Sequence, residues 1–104
     1  MNWYKINDDK TTEQLPEGTY PSYEDCTDEN RRVGDNTVND IRVSTVFIQL
    51  DHNWDPDGQP LLFETMIFGG EYDNDMWRYT TWNEAKAGHE RIVNCLKEGI
   101  NPNL

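Results

Sequence analysis

Asn53, Asp55 and Asp57 occupy alternate positions, Gly58 follows at once, and a further carboxylate, Glu64, stands beyond. That spacing matches an EF-hand loop, where oxygen ligands wrap a calcium ion and the last glutamate binds with both oxygens. Three features oppose the match. The first ligand position is asparagine, Pro56 interrupts the loop, and the flanks read as strands. An Asp55-Pro56-Asp57-Gly58 turn between two strands explains all of it except Glu64. Asn53, Asp55, Asp57 and Glu64 are therefore candidate calcium ligands on a segment that reads equally well as a plain turn, and no cofactor is expected.

A second set comprises Asp51, His52, Glu64 and His89. A carboxylate that orients a histidine is the common geometry of metal ligands and general bases. Each histidine also has a simpler reading. His89 falls on the apolar stripe of a helix, as a satisfied core histidine does, and His52 lies between Asp51 and Asn53, where local hydrogen bonds hold loop residues. The chain has no nucleophile elbow, glycine-rich phosphate loop, HExxH run or Cys-His pair of known type. No residue is assigned a catalytic role, and the reading leans away from an enzyme. His52, Glu64 and His89 remain a polar cluster without a role.

Four tryptophans, Trp3, Trp54, Trp77 and Trp82, occur in 104 residues. Tryptophan is favoured where a large flat side chain fills a partner's pocket. Trp54 stands among Asp51, Asp55 and Asp57; an aromatic ringed by carboxylates suits an arginine-rich surface, although it can also fold back over a sheet edge. Glu24, Asp25, Asp28 and Glu29 form a second acidic group. Against 20 acidic residues the chain has 9 lysines and arginines, a net charge of -11. Such a charge repels nucleic acid and anionic lipid and favours a basic protein surface, including one that itself binds nucleic acid. It also serves simply to keep a small domain in solution. Asp51, Trp54, Asp55 and Asp57, with Glu24, Asp25, Asp28 and Glu29 as a second edge, are the expected partner-binding residues.

The elements that must position these residues are legible in outline. Residues 1 to 104 read as a single α+β domain: an irregular N-terminal segment (1–30), an antiparallel sheet (31–80) and a helix (81–99). In the first segment Trp3, Tyr4 and Ile6 form a short edge strand or pack as anchors, and Pro16, Gly18 and Pro21 mark turns. Arg32 to Val38 reads as a strand, with Asn39-Asp40 as the turn. Ile41 to Leu50 is β-branched and aromatic, and Val46-Phe47-Ile48 places apolar residues on both faces, which predicts a central strand covered on both sides. Leu61 to Phe68 and Met76 to Thr80 complete a meander of about four strands, because no connection has room for a crossover helix. Thr81-Trp82-Asn83-Glu84 fits a capping box, Trp82, Ala85, His89, Ile92 and Leu96 make one apolar stripe, and Gly99 fits a C-cap. Met1 to Ile6 lacks the basic start and apolar run of a secretory signal, no stretch is long enough to span a bilayer, and Cys26 and Cys95 make no metal-type spacing. A cytoplasmic protein with reduced thiols is expected.

Arg42-Val43-Ser44-Thr45-Val46-Phe47, Leu50-Asp51-His52, Pro60 through Gly70, Arg78-Tyr79, Thr81-Trp82, Glu84-Ala85 and Gly88-His89 together resemble a family of small proteins encoded by bacteriophages and prophages. The resemblance spans Arg31 to His89 and does not reach residues 1–30. It implies a mobile-element setting and carries over no catalytic role. With the acidic charge, it leads to the expectation of a non-enzymatic accessory protein that binds a partner protein and inhibits a host nucleic-acid-binding defence machine, as anti-CRISPR proteins and nucleic-acid mimics do. The alternatives are a small calcium-binding or metal-dependent acid-base domain, or an acidic soluble domain of other role.

Overall fold

The computed structural model describes residues 2–22, 27–51, 53, 55 and 57–104, with Asp28 described by its backbone alone. Six strands and two helices follow one another: β1 (Tyr4–Ile6), β2 (Thr12–Gln14), α1 (Asp28–Arg31), β3 (Arg32–Val38), β4 (Ile41–Phe47), β5 (Phe63–Phe68), β6 (Met76–Tyr79) and α2 (Trp82–Glu98). β3 to β6 form a four-stranded antiparallel sheet in chain order, packed against α2, which is the α+β meander read from the sequence. Turn chemistry sets this order. Asn39 and Asp40 join β3 to β4 with φ of 50° and 70°, the left-handed pair that a two-residue hairpin needs to match the twist of its strands. Gly69 and Gly70, at φ 96° and 71°, break β5 where a side chain would be strained.

Burial alternates along β4 and β5, so Val43, Thr45 and Phe47 share one face with Phe63, Thr65 and Ile67. α2 covers that face. The Thr81 hydroxyl accepts from the Glu84 amide at 3.1 Å and donates to the Glu84 carboxylate at 3.0 Å, so the capping-box pair forms with the hydroxyl itself as the second donor. Gly99 closes the helix at φ 70°, and the Ile100 amide reaches back to the Cys95 carbonyl at 2.8 Å, a Schellman-type end. Ala85, His89, Ile92 and Val93 are buried beneath the helix.

The core is divided. Ile6, Phe47, Leu62, Phe63 and Ala85 form one apolar cluster, and Val38, Val43, Ile67, Ile92 and Val93 form another. Between them along the sheet lie the buried polar residues Thr45, Thr65 and His89.

Three features differ from the sequence expectation. Within the segment read as irregular, β1 and β2 pair as a hairpin, and Ile6 joins the first core cluster. The hairpin is docked onto the sheet's end through the Tyr4 amide on the Gln49 carbonyl at 2.7 Å and a bridge between Trp3 and Leu50; tertiary pairing stabilises strands too short to persist alone. The strand expected to run to Leu50 stops at Phe47, because Gln49 turns to φ 64° and the Leu50 amide bonds the Ile48 carbonyl at 2.6 Å. Nor is β4 covered on both sides. Val46 lies on the sheet face away from α2, and no described element packs over that face. Among the described residues no helix is long and apolar enough to cross a membrane.

Candidate functional site

Between the turn at Gln49 and the start of β5, the described residues of the 50–61 segment bond their own backbone through their side chains. The Asp51 carboxylate accepts from the amides of Asn53 at 2.9 Å and Leu61 at 3.0 Å, pinning both ends of the loop together. Asn53 Oδ1 accepts from the Asp55 amide at 3.0 Å, and Asp55 Oδ1 accepts from the Asp57 amide at 3.0 Å. The Asn53 amide group donates to the Gln59 carbonyl at 2.6 Å. These are successive Asx turns, the local bonding for which aspartate and asparagine are favoured in loops. Asp51 and Asn53 are half-buried supports, while Asp55 and Asp57 are exposed. Asp55 and Asp57 thus present exposed carboxylates while their own amides bond the side chains two residues before them.

Glu64 does not join them. It sits in the interior of β5, on the face opposite Phe63 and Thr65, and its carboxylate accepts from its cross-strand partner Arg78 at 3.1 Å. The calcium reading therefore loses its last ligand to an ion pair. Among the described residues no three His, Cys, Asp or Glu side chains gather as a metal-holding group. Of the second acidic group, Glu29 is exposed on α1 and Asp28 begins that helix. Trp54, His52, Glu24 and Asp25 lie outside the described residues.

His89 lies on the helix side of the sheet, with Glu64 on the other, so these two do not converge. The imidazole is 5% exposed. Its Nε2 meets Asn36 Oδ1 at 2.7 Å, and its Nδ1 meets Thr45 Oγ1 at 2.7 Å. An oxygen acceptor at Nε2 assigns the proton there, which leaves Nδ1 to accept from the Thr45 hydroxyl. Thr45 in turn accepts from Thr65 at 2.5 Å. A directed chain runs from Thr65 through Thr45 and His89 to Asn36. Burial lowers the pKa of His89 below its ordinary value, partly offset by the charges of Asp35 and Glu90, so the imidazole is held neutral. Beside Thr65 lies the Tyr79 hydroxyl, buried and without a well-formed hydrogen bond; burial raises its pKa, and Thr65 and Arg91 counter this in part.

Two glycines make room for this layer. A Cβ at Gly34 would stand 2.6 Å from the His89 ring, and one at Gly88 would overlap the ring and hydroxyl of Tyr79. The His89 edge borders an open cleft of about 320 Å³ lined by Asn36, Glu90, Val93, Asn94 and Lys97. With both ring nitrogens engaged, a neutral His89 offers that cleft no free lone pair. Its chemistry is that of a satisfied polar layer inside an apolar core.

The sequence reading passed over Asn36, Thr45, Thr65 and Tyr79. A signal for two of them was present: Val43-x-Thr45-x-Phe47 and Phe63-x-Thr65-x-Ile67 each place one threonine at the middle inward position of an apolar alternation. The register that sets Thr45 opposite Thr65 belongs to the folded sheet.

No family model, no curated protein and no solved structure matches the chain.

Proposed function

We propose that this chain is a non-enzymatic accessory protein that binds a basic protein surface through the acidic loop at residues 51–59. The observation that carries the reading is the series of side-chain bonds from Asp51, Asn53 and Asp55 to the amides of Asn53, Asp55 and Asp57, beside which the carboxylates of Asp55 and Asp57 stand exposed. Such local bonds lower the conformational entropy that these residues lose on binding. A net charge of -11 steers such a loop toward lysine- and arginine-rich sites and away from nucleic acid. The class of partner is a protein whose own ligand is a polyanion, and the resemblance to phage and prophage proteins points to a host defence machine that grips nucleic acid.

The immobilised chain, challenged with bacterial lysate and washed with rising salt, tests this. A basic, nucleic-acid-binding protein should be retained at about 50 mM NaCl and released by about 500 mM, where the screening length falls to a few ångströms. Asp55→Asn with Asp57→Asn should lose that protein while the circular-dichroism spectrum stays unchanged. A partner whose capture is indifferent to salt and to both loop substitutions would overturn the reading.

A further inference from the structure

The start of β4, the break after β5 and the C-terminal end of α2 border a groove of about 190 Å³. It lies at the end of β4 away from the acidic loop. Ile41, Tyr72, Leu96 and Ile100 are its apolar lining, and Glu71 and Gly99 complete it. Ile41, Tyr72 and Leu96 pack on the second core cluster beneath, so the core fixes this lining in place. Ile100 is 46% exposed although its amide is bonded to the Cys95 carbonyl; the helix stop holds an apolar side chain in solvent. A Cβ at Gly99 would meet nothing within 4 Å, which leaves the groove open at that residue. The electrostatics are one-sided. Among the described residues that line the groove, Glu71 alone is charged. Burial, and next the charge of Glu71, raise the pKa of Tyr72, so this carboxylate acts at the aromatic ring. The cap bonds of α2 occupy the carbonyls of Cys95 and Leu96, and the negative end of the helix dipole stands beside Gly99. Lys97, the basic residue of the last turn, lines the cleft beside His89 instead.

We propose that this groove takes an arginine side chain of a partner protein, its methylene stem on Ile41, Leu96 and Ile100 and its guanidinium between Glu71 and the end of α2. Charge complementarity selects that occupant. An apolar side chain would leave the carboxylate and the helix end without a counter-charge, and an acidic one would be repelled by both. The stem of an arginine lies along apolar surface while its head stays at a wet rim. The guanidinium is weakly hydrated, stacks on aromatic faces and carries five donors in a fixed fork. One head can therefore serve the Glu71 carboxylate, the Tyr72 ring and the carbonyls at the helix end. An ammonium is a compact, strongly hydrated charge and matches fewer of these groups. A single side chain in an open groove binds with a Kd on the order of millimolar, so the site is one contact within a larger interface. The inference does not rest on the acidic-loop reading. The two sites lie at opposite ends of β4, and substitutions separate them.

Titration of the ¹⁵N-labelled full chain with the peptide N-acetyl-Gly-Arg-Gly-amide, followed by amide chemical shifts, tests it. The amides of Tyr72, Gly99 and Ile100 should shift together and saturate with a Kd on the order of 1 mM. Three other probes take the arginine apart: a citrulline peptide keeps the shape without the charge, guanidinium chloride supplies the head without the stem, and a lysine peptide replaces the fork by a point charge. Each should bind about five-fold more weakly or worse. Glu71→Gln and Ile100→Ser, at exposed positions, should each weaken the arginine peptide by about three-fold or more, with the rest of the amide spectrum in place. Asp55→Asn with Asp57→Asn should leave the groove shifts unchanged. Groove amides that do not move with the arginine peptide would overturn the inference. So would a lysine or citrulline peptide that binds as well, or binding that survives Glu71→Gln and Ile100→Ser but is lost with the loop pair.

Discussion

His89 shows how one side chain couples the helix to the sheet. Its Nδ1 is met by Thr45 and its Nε2 by Asn36, so α2 is bonded to β4 and β3 at one point inside the core. Burial disfavours the charged form, and the folded-state pKa lies below the ordinary value of about 6.5. The sign of the pH effect follows. Above about 6.5 both folded and unfolded chains hold a neutral imidazole, and the stability from this group is fully present. As the pH falls below 6.5 the unfolded chain takes up a proton that the folded one resists, and stability is lost until the lower folded value is reached. Thermal midpoints measured from pH 7.5 to pH 5 should therefore fall for the native chain and fall less for His89→Gln. Equal slopes would show that the imidazole is not held neutral. Asp35 belongs to a different window: its hydrogen bond to Arg42 lowers its pKa, so its contribution is lost only in more acidic solution.

At the scale of elements, the helix and the central strands are stabilised by different means, and substitutions should separate them. Thr81 caps α2 through two hydrogen bonds at an exposed position. Thr81→Ala should cost about 1 kcal/mol, the usual penalty for a lost N-cap, which for a domain of this size lowers the melting midpoint by about 4–8 °C. Phe47 is wholly buried, packs at 5.4 Å on Phe63, and joins the hairpin residue Ile6 to the helix residue Ala85 in one cluster. Phe47→Ala should cost about 3–5 kcal/mol, because the cavity adds to the lost burial. That is a large share of the stability of a small domain, and urea titration should find the variant largely unfolded. A harmless Phe47→Ala would remove the basis for a core shared by the hairpin, sheet and helix.

For the whole molecule, charge is the dominant property. Twenty acidic side chains on 104 residues repel one another in the compact state more than in the expanded one. Among the described residues most lysine and arginine pairs with carboxylates are exposed or half-exposed, Glu64 with Arg78 being the more buried one, and exposed pairs offset little of this repulsion. The melting midpoint should rise by several degrees between low and moderate NaCl as screening relaxes the repulsion. A midpoint that fell with salt would mean that attractive pairs outweigh the net charge.

Elements whose cause is local could be read directly from the residues. The Asn39-Asp40 turn, the Thr81 cap, the Gly99 stop and the β-branched run after Ile41 are each decided within a few positions, and the meander follows from short connections that leave no room for a crossover. The acidic loop was visible for the same reason, since Asx turns join residues two apart. What depends on residues far apart in sequence had to await the fold. Glu64 could be placed in the loop or in the sheet until cross-strand register set it against Arg78, fourteen residues away. The β1–β2 hairpin persists because it docks on Gln49 and Leu50, so its own residues gave only a short edge strand as one option. The chain of Thr65, Thr45, His89 and Asn36 crosses three strands and a helix, over separations of up to 53 residues. Composition and local pattern specify elements, but only packing decides which side chains share a face, and both the divided core and the open face of the sheet are consequences of that sharing.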